Sequence, residues 1–202
     1  MDELPFTPEL LRLAYAQGYF PMPHPDTGDI VWLSPNPRAV VPLDGFHRSR
    51  SLLKTLRKGG FEITFDKDFA GVIAACADRE ETWITDDFKA AYTGLHAEGA
   101  AHSVEVWRES QLVGGTYGVS LAGAFFAESM FHKETDASKV ALVALVRQLQ
   151  RWNFGMIDCQ MNTPHLASLG AREIPRAEFT RRLQELIHYA PVPAPWHLEP
   201  GG

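Results

Sequence analysis

"AHSVEVWRESQLVGGTYGVSLAGAFFAESMF", residues 101 to 131, holds three apolar runs parted by two short turn signals. The first break, Arg108 to Gln111, is polar, and the second, Leu121 to Gly123, ends on glycine, so the stretch reads as three successive strands joined by tight turns. What flanks it supplies the covering layers. Upstream lie a strand, FEITF (61 to 65), and two helices, Asp68 to Ala77 and Asp86 to Glu98, the second stopped by Gly99. Downstream follow a long helix, Ala137 to Asn153, with Asp136 as its capping residue, a strand Met156 to Gln160, and a last helix, Arg176 to Tyr189. That order predicts an α+β fold with helices packed on a mixed sheet.

Before residue 61 the pattern is different. A helix is predicted over Thr7 to Gln17, opened by a Thr-Pro cap and closed by Gly18, and a proline-dense stretch of short extended pieces and turns comes next. We expect a small N-terminal domain over 1–60 and a catalytic domain over 61–202. The opening residues carry neither a basic leader nor a sustained apolar run, and Val140 to Val146 falls far short of the roughly 20 residues a membrane helix needs, so a cytoplasmic location is expected. Cys76 and Cys159 stand far apart and read as core thiols rather than a redox or zinc pair, and the histidines show no metal spacing, so no metal is expected.

The net charge of −6 argues against a general nucleic-acid coat, yet "HRSRSLLKTLRKGG" (47 to 60) carries Arg48, Arg50, Lys54, Arg57 and Lys58 without one acid. On a helix, Leu52, Leu53 and Leu56 form an apolar stripe with the cations around the rest. Two readings stand open: a solvated amphipathic helix, or a phosphate-binding surface.

Two strands carry charges that an apolar environment does not favour. Asp158 and Gln160 alternate onto one face of Met156-Ile157-Asp158-Cys159-Gln160, and Glu128 sits inside AFFAESMF, sharing a face with Ala124, Phe126 and Met130. Buried acids need partners, so Glu128 either pairs with an arginine or converges with Asp158 and Gln160 at one end of the sheet as a working site. Trp83 reads first as a core aromatic and His102 as a structural histidine. Ser129 and Ser138 lack the setting of a nucleophilic serine.

The stretches AYAQGYFPM (14 to 22), SPNPRAVVPL (34 to 43), FHRSRSL (46 to 52), TWI (82 to 84), LHAEGAAHSVEVW (95 to 107), LVGGTYGV (112 to 119), AFFAESMF (124 to 131), DASKVALV (136 to 143), IDCQ (157 to 160) and HLASLGAREIPR (165 to 176) occur in that order. Together they resemble the leucyl/phenylalanyl-tRNA–protein transferase family over nearly the whole chain. The resemblance implies a small N-terminal domain followed by an acyltransferase-like domain related to the CoA-dependent (GNAT) N-acetyltransferases. It implies transfer of Leu or Phe, with Met also considered, from aminoacyl-tRNA to the α-amino group of proteins beginning with Arg or Lys, a mark for N-end rule degradation. No cofactor is implied, because the ester is already activated, and a monomer is expected.

By matching position, Asp158 and Gln160 would orient or deprotonate the attacking amine, the choice between base and orienter staying open. Glu128 and Gln160 would meet the acceptor peptide, with the charge of Glu128 favouring a cationic N-terminus. Trp83, Phe125, Met22, Thr116 and Leu145 would line the aminoacyl or adenosine site. Thr116 and Met22 depart from the larger apolar residue and the Trp common in relatives, which bears on the Leu-versus-Phe preference. The cations at 48 to 58 would hold the tRNA acceptor stem through its phosphates. The enzymatic rival is a CoA-dependent N-acetyltransferase, whose pyrophosphate loop needs glycines that HKETDASKVAL (132 to 142) lacks. A non-catalytic tRNA- or peptide-binding module is the third reading, and it would have no use for Asp158, Gln160 and Glu128 together.

Overall fold

The computed structural model of the chain describes residues 6–199. Its centre is set by two tight turns. Glu109 and Ser110 both take left-handed backbone (φ 49° and 64°), the two-residue geometry whose twist matches that of the strands it joins. They link β5 (Ala101–Arg108) to β6 (Gln111–Leu121), and Ala122 with Gly123 turns β6 into β7 (Ala124–His132). The three strands pair antiparallel, as the sequence predicts.

The elements around them are α1 (Pro8–Ala16), β1 (Phe20–Pro23), β2 (Ile30–Leu33), β3 (Arg38–Val41), α2 (Arg50–Lys58), β4 (Glu62–Phe65), α3 (Phe69–Ala77) and α4 (Asp86–Ala97). After β7 come α5 (Ala137–Arg151), β8 (Met156–Gln160), α6 (Pro164–Ser168), β9 (Arg172–Ile174) and α7 (Arg176–Leu186). A two-stranded ribbon, β1-β2, stands apart from a seven-stranded sheet of order β4-β5-β6-β7-β8-β3-β9. All neighbours in the large sheet are antiparallel except β7 and β8, which run parallel on either side of the crossover through α5. The expected α+β class with a mixed sheet is found.

Two cores sandwich that sheet. On one face Leu11 and Tyr15 of α1, Val72 and Ile73 of α3, Phe88 and Tyr92 of α4, and Phe179 and Leu183 of α7 pack on Tyr117, Phe126 and Met156. On the other, α5 lays Val140, Ala141, Leu145 and Leu149 on Val104, Phe125 and Ile157. Gly114 lets α5 start close to the sheet, since a Cβ there would stand 2.5 Å from that of Ala137.

Two expectations need correction. The boundary near residue 60 does not follow the strand pairing: β3 fills the gap between β8 and β9, and Leu52 of α2 joins the α5 core, so residues 38–58 belong with the large sheet. Asp136 takes left-handed backbone (φ 66°) and makes no side-chain cap for α5, because its carboxylate is held by Lys139 (3.0 Å) and the Thr55 hydroxyl (2.9 Å). Beyond α7 the described residues form no helix, and the chain returns to the second core through Trp196, which is 1% exposed.

His102, expected to be structural, accepts that role only in part. Its Nδ1 lies 2.8 Å from Asp66 Oδ2 and its ring stacks on Trp196 at 3.6 Å, while its Nε2 has no hydrogen-bond partner among the described residues. Both cysteines are buried and free, and burial pushes the Cys76 thiol up to about 12.

Candidate active site

A β-bulge delivers the first functional side chain. Tyr117 pairs with Ser129 and Gly118 with Ala127, so β7 carries one residue too many at Glu128. The bulge also breaks simple alternation. Ser129 meets Arg79 on the α3 side (2.9 Å), whereas Met130 packs with the α5 core, so Met130 does not share the face of Glu128 as expected.

Nor does Glu128 find an arginine. The Tyr15 hydroxyl donates to its Oε1 at 2.7 Å, the Tyr92 hydroxyl donates to its Oε2 at 2.8 Å, and the two phenol oxygens are themselves 2.6 Å apart. Both tyrosines are fully buried in the first core and Glu128 is half-buried. Burial pushes the Glu128 carboxyl up from 4.5 to about 7, against the two phenol hydrogen bonds, which pull it down. A raised acid opposes folding once ionised: stability is lost as pH climbs from about 4.5 through about 7 and stays lost above.

Asp158 has a different environment. Its Oδ1 accepts from Arg38 Nε at 2.8 Å and from the Gln160 backbone N–H at 3.0 Å, and its Oδ2 accepts from Arg38 Nη2 at 2.6 Å. Arg38 and Asp158 are both 0% exposed. The guanidinium also donates to the Gly18 carbonyl (3.0 Å) and lies over the rings of Phe20 and Phe179. Burial pushes the Asp158 carboxyl up and Arg38 pulls it back. The expected carboxylate–carboxamide pair is therefore replaced by an Arg–Asp fork, with Gln160 contributing only its main chain.

That leaves the Gln160 carboxamide available. A second register shift, between Ala39 and Val40, puts Gln160 in left-handed backbone (φ 58°), and its buried Nε2 has no partner among the described residues. Buried amides are rarely left without a partner. The parallel pairing of β7 and β8 ends at Phe126 and Asp158. Two residues further on, Glu128 and Gln160 stand on the two arms of a fork.

An open cleft lies at the start of α5, lined by Met130, His132, Thr135, Asp136, Ser138, Lys139 and His165. Burial, and then the charges of Lys139 and His132, hold His165 below its usual range and favour its neutral form. The expected pocket residues divide between the two faces. Trp83 and Met22 are half-buried against the first core, Trp83 edge-on to Phe88 at 5.3 Å. Phe125 and Leu145 are enclosed in the second core, and Thr116 is closed off with its hydroxyl donating to the Ser129 carbonyl at 2.9 Å. Arg48, Arg50, Lys54, Arg57 and Lys58 are all exposed, and none forms an ion pair among the described residues.

Sequence reading missed Arg38, Tyr15 and Tyr92. Arg38 lies 120 residues from Asp158 in the chain, and the tyrosines occupy apolar helix positions where they pass for core.

The acid and the amide thus stand just beyond the last paired residues of β7 and β8 in a mixed α+β sheet. Two family models match the chain, "Leucyl/phenylalanyl-tRNA protein transferase" over residues 40–184 and its N-terminal domain over 5–36. The leucyl/phenylalanyl-tRNA–protein transferase of Ruegeria pomeroyi is 52% identical over 184 residues, covering 91% of this chain and 88% of its own. That of Thiobacillus denitrificans is 53% identical over 195 residues, covering 95% and 85%. The chain belongs to the leucyl/phenylalanyl-tRNA–protein transferase family, and is an aminoacyltransferase. Among solved structures, a GCN5-related N-acetyltransferase-like protein from Streptococcus suis aligns with TM-score 0.44 at 14% identity, over 82% of this chain and 63% of that one.

Proposed function

We propose that this chain moves a leucyl or phenylalanyl group from aminoacyl-tRNA to the α-amino group of proteins beginning with Arg or Lys, as a monomer, marking them for N-end rule degradation. Beside family membership, the observation that carries this reading is the fork itself. It offers an acid to a cationic N-terminus and a free carboxamide to an ester or amine, with no need for a cofactor to activate an acyl group already bound as an ester. The Gln160 carboxamide orients the acceptor amine, Asp158 with Arg38 fixes the strand from which Gln160 projects, and Glu128 faces the acceptor.

The donor side chain meets Met22 and Trp83, while Phe125, Leu145 and Thr116 set the shape of the sheet behind. Apolar walls of this kind discriminate by roughly 1–3 kcal/mol per methylene. The cleft over the start of α5 takes the terminal nucleotide of the tRNA. From there Thr55, which donates to Asp136, leads onto α2, whose unpaired cations take the acceptor-stem phosphates. The acidic Asp136 at the entry of α5 disfavours the pyrophosphate that a CoA-dependent acetyltransferase would place there.

Peptides with N-terminal Lys, Arg or Ala, incubated with the protein and either Leu-, Phe- or Met-charged tRNA or acetyl-CoA, test this by mass spectrometry. Leu or Phe on the basic N-termini alone is the expected product. Acetylation would move the chain to the CoA-dependent class, and no product with any donor would reject transfer to these N-termini. Charge reversal at Arg50 and Lys54 should weaken transfer from full aminoacyl-tRNA more than from a minimal aminoacyl-adenosine, and should flatten its salt dependence. Equal losses with both donors would remove α2 from the tRNA path.

A further inference from the structure

Three oxygen-to-oxygen contacts, of 2.7, 2.8 and 2.6 Å, close a ring among Glu128, Tyr15 and Tyr92. Each contact of that length wants a proton between its oxygens. The two phenols own only two protons, so with Glu128 ionised one of the three contacts is bare. With Glu128 protonated every hydroxyl donates once and the ring is complete. Asp158 offers no such vacancy, because both its oxygens are held by Arg38 and one also by the Gln160 main chain. Protonating it would break a fully buried fork.

We infer that Glu128 is the group that takes the proton from the attacking amine, with Tyr15 and Tyr92 as its positioning residues and Asp158 confined to an architectural part. The inference rests on the aminoacyl-transfer reading and assigns its proton path. The neutral acceptor nitrogen attacks the ester carbonyl carbon, and a C–N bond forms as the carbonyl π electrons move to oxygen. The nitrogen, now positive, gives one proton to Glu128. When the carbonyl re-forms, the C–O bond to the terminal ribose breaks, and the leaving oxygen takes up a proton, from Glu128 or from solvent that Glu128 then repays. One N–H has become one O–H, and no oxidant or further reactant enters.

The surroundings suit the assignment. Besides the two phenols, the groups near Glu128 are Tyr117 from β6, whose buried hydroxyl has no partner among the described residues, and Asp158 with Arg38 across the fork. Cys76 and Arg79, from the end of α3, are turned to Ser129. Burial places the carboxyl near about 7, where a base can both accept and release a proton at neutral pH.

The test compares pH profiles of kcat and KM for transfer from phenylalanyl-adenosine to a peptide beginning with Lys, in the native chain, Glu128→Gln, Tyr15→Phe and Tyr92→Phe. The acceptor amine titrates too, at about 7.7–8.0, but identically for every enzyme, so a displacement between enzymes reports Glu128. Glu128→Gln should lower kcat by about 10²–10⁴-fold, with a much smaller rise in acceptor KM as the charge facing the cationic N-terminus is lost. Each Tyr→Phe change removes a donor that favours the carboxylate and should move the acid limb of kcat to higher pH. Glu128→Gln should also melt higher than the native chain at pH 8, since it removes the ionisation that opposes folding, which shows that lost activity is not lost structure. A raised KM with kcat kept within threefold would reduce Glu128 to charge recognition, and an acid limb unmoved in both tyrosine variants would remove them as its positioning residues. Either overturns the inference while leaving aminoacyl transfer intact. A native chain that makes no aminoacyl-peptide would overturn the transfer reading beneath it.

Discussion

Arg38→Leu is expected to destabilise the protein by about 3–5 kcal/mol, because it strands the Asp158 carboxylate in a site from which water is excluded. For a chain of this size that is a fall of roughly 6–20 °C in Tm. Asp158→Ala should do comparable harm by stranding the guanidinium, which then keeps only the Gly18 carbonyl and the faces of Phe20 and Phe179. Lysine at position 38 should recover little, since a point charge cannot reproduce a two-pronged bond. The pair replaced together by leucines should recover much of the loss, because swapping a buried ion pair for packed apolar groups is often neutral. Thermal melts of the four variants decide the matter. Single and double variants that all melt within 2 or 3 °C of the native chain, a tolerance of about 1 kcal/mol, would show that the fork carries no structural weight. The expected outcome also bears on interpretation: an inactive Asp158→Ala protein says nothing about a base unless its fold is shown intact.

Trp196→Ala is expected to have a similar effect, about 3–5 kcal/mol, as a large buried aromatic removed from a packed core. Its ring stacks on His102 and touches Phe125, Trp152 and Phe154, and its backbone N–H donates to Asp66 at 2.7 Å. Glu199 fastens the segment beyond it, accepting from the Trp152 indole at 2.7 Å. Because Phe125 lies on the sheet strand that leads to Glu128, the same variant should also lower transfer when assayed well below its melting temperature. Denaturant unfolding of Trp196→Ala and Trp196→Phe checks the first part. A loss below about 1 kcal/mol for the alanine variant would show that the C-terminal segment is only draped on the core.

What could be read in the chain beforehand follows from the range of the interactions. The β5-β6-β7 meander declared itself because tight turns and alternating apolar residues are local. β3 and β9, of four and three residues, are defined by partners far along the chain, and a proline-dense stretch hid the first of them. The odd charges at 128 and 158 were legible as anomalies, but their partners were not. A bulge of one residue at Glu128 and another near Cys159 decide where those side chains and the Gln160 amide point, and alternation carries no sign of either. Tyr15 and Tyr92 satisfied the helix pattern as core residues, so nothing set them apart until their hydroxyls met on one carboxylate.

The reacting ester and amine belong in the fork between β7 and β8. The most direct test of that placement is a crystal of the protein soaked with a non-hydrolysable phenylalanyl-adenosine amide. The aminoacyl end is expected between Glu128 and Gln160, with the adenosine in the cleft over the start of α5. Density for the aminoacyl end outside the space between Glu128 and Gln160 would contradict it.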